Sequence, residues 1–233
     1  MSDSWDYPNP EPLASADWLK AHLNDTALRI IDGRGEREYA AGHIPGAILL
    51  PSGSFKAVGS SETCSPEEFA AAVGAMGVRA TDTVVCYDSN GPTAGRTWWA
   101  FTRFGHQSVK FLHGGFGAWT GSGGPISTGA VSMPQAEYRL SGDRPGYACT
   151  LPQALASVNR TGVVFWDTRS EGEFTGADPR TNDPAKAGHI PGAVHLEYSA
   201  LVDHATGMFK PAAEMRALLA VRGITPESEV VAY

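Results

Sequence analysis

Gly42-His43-Ile44-Pro45-Gly46-Ala47 and Gly188-His189-Ile190-Pro191-Gly192-Ala193 are the same six residues, 146 positions apart. At that offset Glu68 meets Glu214, Gly77 meets Gly223, and Val84-Val85-Cys86-Tyr87 meets Val230-Val231-Ala232-Tyr233. Upstream the offset is 135, where Ile31-Asp32-Gly33-Arg34 meets Trp166-Asp167-Thr168-Arg169. The second copy therefore carries eleven additional residues, Gly176 to Lys186, between its Asp and its His. The chain is a duplication, and one copy can be read against the other.

Each copy has the same local grammar. Ser15 and Thr150 stand as N-caps before apolar residues at partly helical spacing, Trp18, Leu19 and Leu23 in one copy and Leu151, Leu155 and Val158 in the other. Leu28-Arg29-Ile30-Ile31 and Val163-Val164-Phe165-Trp166 are short, mostly apolar runs that end in an Asp, the pattern of a central parallel strand. The His-Ile-Pro-Gly turn leads to another short strand, 47–50 or 193–196. In copy one a capping box, Ser65-Pro66-Glu67-Glu68, opens a helix that stops at Gly77, and copy two stops the same helix at Gly223. A last shared strand covers 83–87 and recurs at 229–233. Strands alternating with short helices predict an α/β fold of two tandem domains, each a mostly parallel sheet flanked by helices. We expect a first domain over 1–130, a linker over 131–146 and a second domain over 147–233.

Copy one continues through Asp88-Ser89-Asn90-Gly91-Pro92 into an apolar helix, a strand at 109–112, the turn Gly114-Gly115 and Trp119. Copy two has no counterpart of these 32 residues, 88–119. A sheet lacking that strand and helix would show a large apolar face, so the second domain is expected to be incomplete here and the natural protein to continue past Tyr233.

Composition narrows the classes. The 233 residues, 42% hydrophobic and 18% charged, describe globular material long enough for two cores. With 18 Lys and Arg against 25 Asp and Glu the net charge is −7, which argues against a coat for nucleic acid or an anionic membrane. An anion would have to be caught by a local cluster. The acidic N-terminus lacks the basic and apolar regions of a secretory signal, and no apolar run reaches membrane-spanning length. Three cysteines, Cys64, Cys86 and Cys149, fit a reducing compartment, so a cytoplasmic location is expected. The seven His and three Cys show no CxxC or HxxxH spacing, and no metal or organic cofactor is expected.

These motifs resemble the rhodanese family, in its tandem-domain form of thiosulfate and 3-mercaptopyruvate sulfurtransferases. The match runs through Asp32-Gly33-Arg34, Gly42 to Ala47, Tyr87 and Gly114-Gly115-Phe116-Gly117-Ala118-Trp119 in copy one. In copy two it runs through Asp167 to Phe174 and Gly188 to Ala193. The resemblance implies a catalytically silent first copy and a second copy whose nucleophilic cysteine opens the loop after the Val-Val-x-Tyr strand. That position is Asp88 in copy one, and in copy two it is the residue that follows Tyr233. The implied reaction takes a sulfane sulfur from thiosulfate or 3-mercaptopyruvate to cyanide or a thiol through a cysteine persulfide. A loop that leaves a parallel strand for a helix aims backbone N–H groups inward and suits such an anion. An aspartate there can carry no sulfur and repels an anionic donor.

Single residues are weighed against structural roles. Cys86 lies in a strand and reads as packing, and Cys149 has no His or Arg beside it. Cys64 precedes a helix cap, where a thiol pKa could fall, yet an incidental cysteine remains the simpler reading. His43 and His189 recur in both the silent and the active copy, which favours anchoring a turn over general-base work. Asp32 with Arg34, and Asp167 with Arg169, likewise read as salt-bridged frames at strand ends. The resemblance implies that 170–188 borders the pocket and that arginines there hold the donor's charged group. Where many members have an Arg in Ser-x-Gly-Arg-Phe, this chain has Glu173, so the clamp falls to Arg180 and Arg169. Arg180 also reads as a solvated residue of a mixed-charge insertion. The rival function is a rhodanese-like binding or regulatory protein without a nucleophile, and kinship with cysteine phosphatases is a third reading that the tandem arrangement does not support.

Overall fold

A computed structural model of the chain describes residues 5–50, 54–56, 63–89, 93–178 and 187–233. Arg180 and most of the insertion at 176–186 lie outside the described residues. The chain forms two compact units, Asn9–Tyr147 and Ala148–Tyr233, with Asp6–Pro8 grouped with the second.

In the first unit the order is β1 (Leu13–Ala14), α1 (Ala16–His22), β2 (Leu28–Asp32), α2 (Glu36–Ala41), β3 (Ala47–Leu49), α3 (Pro66–Ala75), β4 (Thr83–Tyr87), α4 (Thr93–Arg103), β5 (Val109–Leu112) and α5 (Gly115–Gly121). The five strands pair in parallel in the order β1-β5-β4-β2-β3. Alternation along the strands feeds two cores. Ile31, Val84 and Cys86 meet Phe69 and Val73 of α3 and Phe101 of α4 on one face. Leu28, Ile30, Val85 and Tyr87 meet Leu19 of α1 and Trp119 of α5 on the other. Both faces are covered, which is why the central strands read as unbroken apolar runs.

The second unit contains α6 (Leu151–Ser157), β6 (Val163–Asp167), α7 (Glu171–Thr175), β7 (Val194–His195), α8 (Ala212–Ala220) and β8 (Glu229–Ala232). Its sheet is β7-β6-β8, all parallel, which reproduces β3-β2-β4 of the first unit.

The shared turn has a mechanical reason. Ala47 N donates to Ile44 O at 2.9 Å, and Ala193 N to Ile190 O at 2.9 Å. Proline occupies the second turn position, and the glycine after it has φ +77° at Gly46 and +80° at Gly192. That is a type II turn, which fixes φ with proline and needs glycine at the left-handed position.

The short helices α2, α5 and α7 and the two-residue β1 were not anticipated. At five to seven residues they are too short for a hydrophobic period to be seen. The helix expected after Thr150 is present as α6, and its apolar residues Leu151 and Leu155 are 71% and 66% exposed. Leu19 of α1 is covered in a cluster that includes Leu112 of β5 and Trp119 of α5, elements with no counterpart among the described residues of the second unit. Among the described residues no helix is long and apolar enough to cross a membrane.

Candidate active site

The C-terminal ends of β2 and β4 carry a buried polar frame. Asp32 is fully buried, and its carboxylate accepts from Arg34 N at 2.9 Å, Arg34 Nε at 3.0 Å, Arg34 Nη2 at 2.7 Å and the Tyr87 hydroxyl at 2.5 Å. Arg34 Nη2 also donates to Gly42 O at 2.7 Å, and Ile44 N to the Tyr87 oxygen at 3.3 Å. His43 Nδ1 lies 3.0 Å from Tyr39 O, and its ring stacks on Tyr39 at 3.9 Å. A carbonyl only accepts, so Nδ1 carries the proton in this arrangement. The Asp, the Arg, the Tyr and the His-Ile turn thus hold one another at one sheet end.

The second unit rebuilds this frame bond for bond. Asp167, also fully buried, accepts from Arg169 N at 3.0 Å, Nε at 3.0 Å and Nη2 at 2.5 Å, and it hydrogen-bonds the Tyr233 side chain. Arg169 Nη2 donates to Gly188 O at 2.8 Å, and Ile190 N to the Tyr233 oxygen at 3.0 Å. His189 Nδ1 lies 2.8 Å from Phe174 O with its ring stacked on Phe174 at 3.8 Å. Burial works against ionisation of Asp167, but the guanidinium and N–H of Arg169 more than offset it and hold the carboxyl below its usual value. Burial, aided by Asp167, pushes the Tyr233 hydroxyl up, so it stays a neutral donor.

The surroundings differ. In the first unit the Phe116 ring of α5 covers Arg34, 3.6 Å from the guanidinium carbon, and the Arg34 side chain is 4% exposed. In the second the Arg169 side chain is 31% exposed. Directly after β4, Asp88 is buried and its Oδ2 accepts from Ala94 N, in the first turn of α4, at 2.9 Å, while Phe116 N donates to Asp88 O at 2.9 Å. A carboxylate therefore already fills the inward-facing helix end of copy one, where the helix dipole favours an anion.

Glu173, at the position of the missing arginine, is buried at the third position of α7. Its Oε2 accepts from Ser170 Oγ at 3.0 Å, and its N–H donates to Ser170 Oγ at 3.3 Å. It serves a capping box and adds negative charge beside Arg169. The thiols of Cys86 and Cys64 are poor nucleophiles. Burial pushes Cys86 far up, and burial with the Glu68 charge raises Cys64, the reverse of activation by the helix end. Among the described residues no three His, Cys, Asp or Glu side chains are grouped so as to hold a metal ion.

The structure brings Asp167, Arg169 and His189 together, sets Asp88 at the corresponding end of the first unit, and leaves Arg180 outside the described residues. Sequence reasoning missed Phe116, Phe174 and His195. Phe174 was findable, since at offset 135 it matches Tyr39. His195 was findable as a polar residue at a strand end where the first copy has Leu49.

The rhodanese-like domain profile matches residues 15–122 and 150–233. A sulfur carrier protein of Thermus thermophilus is 32% identical over 97% of this chain and 83% of its own length. A thiosulfate sulfurtransferase of Corynebacterium glutamicum is 30% identical over 98% of this chain and 78% of its own. The crystal structure of SseA, a 3-mercaptopyruvate sulfurtransferase of Escherichia coli, superposes with a TM-score of 0.84 at 28% identity, over 95% of this chain and 87% of SseA. The chain belongs to the rhodanese family of sulfurtransferases, with a rhodanese-like segment in each of its two copies.

Proposed function

We propose that this protein moves a sulfane sulfur from thiosulfate or 3-mercaptopyruvate to cyanide or a cellular thiol, through a persulfide on a cysteine that directly follows Tyr233. The supporting observation is the second frame, which repeats the first bond for bond and sets Asp167, Arg169 and His189 at the sheet end that Tyr233 closes, in a chain of the rhodanese family. Asp167 and His189 hold the frame. Arg169, with Arg180 from the insertion, orients the anionic donor. Asp88 marks the nucleophile's place in the silent copy, where its own carboxylate takes the anion's position. The cytoplasm suits the free thiols of Cys64, Cys86 and Cys149.

The steps balance without a cofactor. The cysteine thiolate attacks the outer sulfur of thiosulfate, the S–S bond of the donor breaks, and sulfite leaves with the bonding pair. Cyanide then attacks the terminal sulfur of the persulfide, thiocyanate leaves, and the thiolate returns. Intact mass of the protein expressed from its full reading frame, before and after thiosulfate or 3-mercaptopyruvate and then cyanide, tests this. One sulfur atom gained and then lost supports the reading. A mass unchanged by either donor overturns it in favour of a rhodanese-like binding module.

A further inference from the structure

His195 closes β7 at the position that registers with Asp167 on β6, where β3 has Leu49 registered with Asp32. Its Nε2 lies 2.8 Å from Arg169 O. A backbone carbonyl offers no proton, so Nε2–H is the donor. The ring stacks on Phe174 at 4.7 Å and 19°, and Phe174 also stacks on His189 at 3.8 Å and 12°. The three rings tie the strand end, the short helix α7 and the His-Ile turn together. Arg222, just past α8, donates from Nε to His195 O at 2.6 Å, which fixes the backbone that carries the imidazole.

The first unit lacks this tie. At the same register position it has Leu49, whose side chain has no donor for the Arg34 carbonyl. A bond to the main-chain carbonyl of Arg169 holds that residue without occupying its guanidinium. A guanidinium whose backbone is already fixed loses less freedom on binding an anion.

We propose that His195 is a positioning residue for the anionic sulfur donor, acting through the Arg169 carbonyl and the stack with Phe174. This rests on the reading that Arg169 binds the donor. The test is thiosulfate binding by titration calorimetry to the full-length protein and to His195→Leu, His195→Phe, His195→Gln and Arg169→Lys, with near-ultraviolet circular dichroism to verify each fold. His195→Leu installs the residue of the silent copy and should weaken thiosulfate binding about tenfold. His195→Phe keeps the stack without the N–H and should weaken it nearly as much. In His195→Gln the side-chain amide reaches the place of Nε2, and most of the lost affinity should return while the near-ultraviolet spectrum stays the same in all three variants, a combination that a purely structural role would not produce. Thiosulfate binding equal to the wild type in folded His195→Phe and His195→Leu overturns the role of His195 alone. Equal binding in Arg169→Lys overturns the donor reading and this inference with it.

Discussion

The two copies share a frame and differ in its enclosure. β4 lies inside a five-stranded sheet and is buried from Val84 to Tyr87, while β8, its repeat, is an edge strand with Val230 39% exposed. Yet Asp, Arg, Tyr and His make the same bonds in both. The frame is thus a property of the local segments: a strand ending in Asp, an Arg two residues on, a type II turn and a Tyr at the next strand end. The burial comes from α4, β5 and α5, which lie outside those segments. Copying the segments copied the polar geometry.

The largest expected effect follows from that division. Asp32→Ala leaves the Arg34 guanidinium buried without its counter-charge and should cost about 3–5 kcal/mol. In the 233-residue chain Asp167→Ala makes the same deletion beside a guanidinium that water can reach, so the cost should be about 1–2 kcal/mol. Hydrogen exchange read separately in the two units measures both, and equal losses would break the comparison. The second effect concerns packing alone. Val84→Ala removes two buried methyl groups beside well-fixed neighbours and should cost about 2 kcal/mol. In the 233-residue chain its repeat partner Val230→Ala should change stability by less than about 0.5 kcal/mol, as surface substitutions do. Urea midpoints of the two variants decide it.

What the sequence made legible follows the same line. The duplication, the parallel strands, the capping box at Ser65, the N-cap at Thr150 and the Asp–Arg frames depend on nearby residues and could be read directly. The helical spacing of Leu151 and Leu155 says which residues could be buried and not which partner buries them, and both are exposed. Phe116 over Arg34 joins residues on two distant elements, and no local pattern announces it. His195 lies inside the expected strand 193–196, and it escapes a comparison of the copies that takes up only the positions where they agree.

A third prediction concerns the occupied helix end of copy one. Asp88→Ala removes the carboxylate that accepts from Ala94 N and should cost about 1 kcal/mol, the ordinary value of a lost helix cap. Asp88→Asn keeps an acceptor and should recover most of it. Thermal unfolding followed through the Trp98 and Trp99 fluorescence of α4 measures the loss. If both variants match the wild type, the carboxylate is not what completes that end of the first unit.

The smallest expected effect separates the copies by pH. His106 is buried with Nε2 2.8 Å from Asp82 O and Nδ1 2.9 Å from the Tyr138 hydroxyl, so the neutral ring donates on one side and accepts on the other. Burial, opposed by the Asp82 contacts, lowers its pKa. The unfolded chain therefore takes up this proton first, near pH 6.5, and the stabilisation present above that pH declines towards the lower folded value. Asp167 works in a different window: its depressed carboxyl stabilises the second unit above about pH 4 and ceases to do so as pH falls through the folded value. Exchange rates of first-unit amides should consequently rise between pH 7.5 and 5.5, after correction for the intrinsic chemistry. His106→Gln, which can donate to Asp82 O without titrating, should flatten that rise. A rise that persists unchanged in the variant would assign the acid sensitivity of the first unit to another group and remove the pH contrast between the copies.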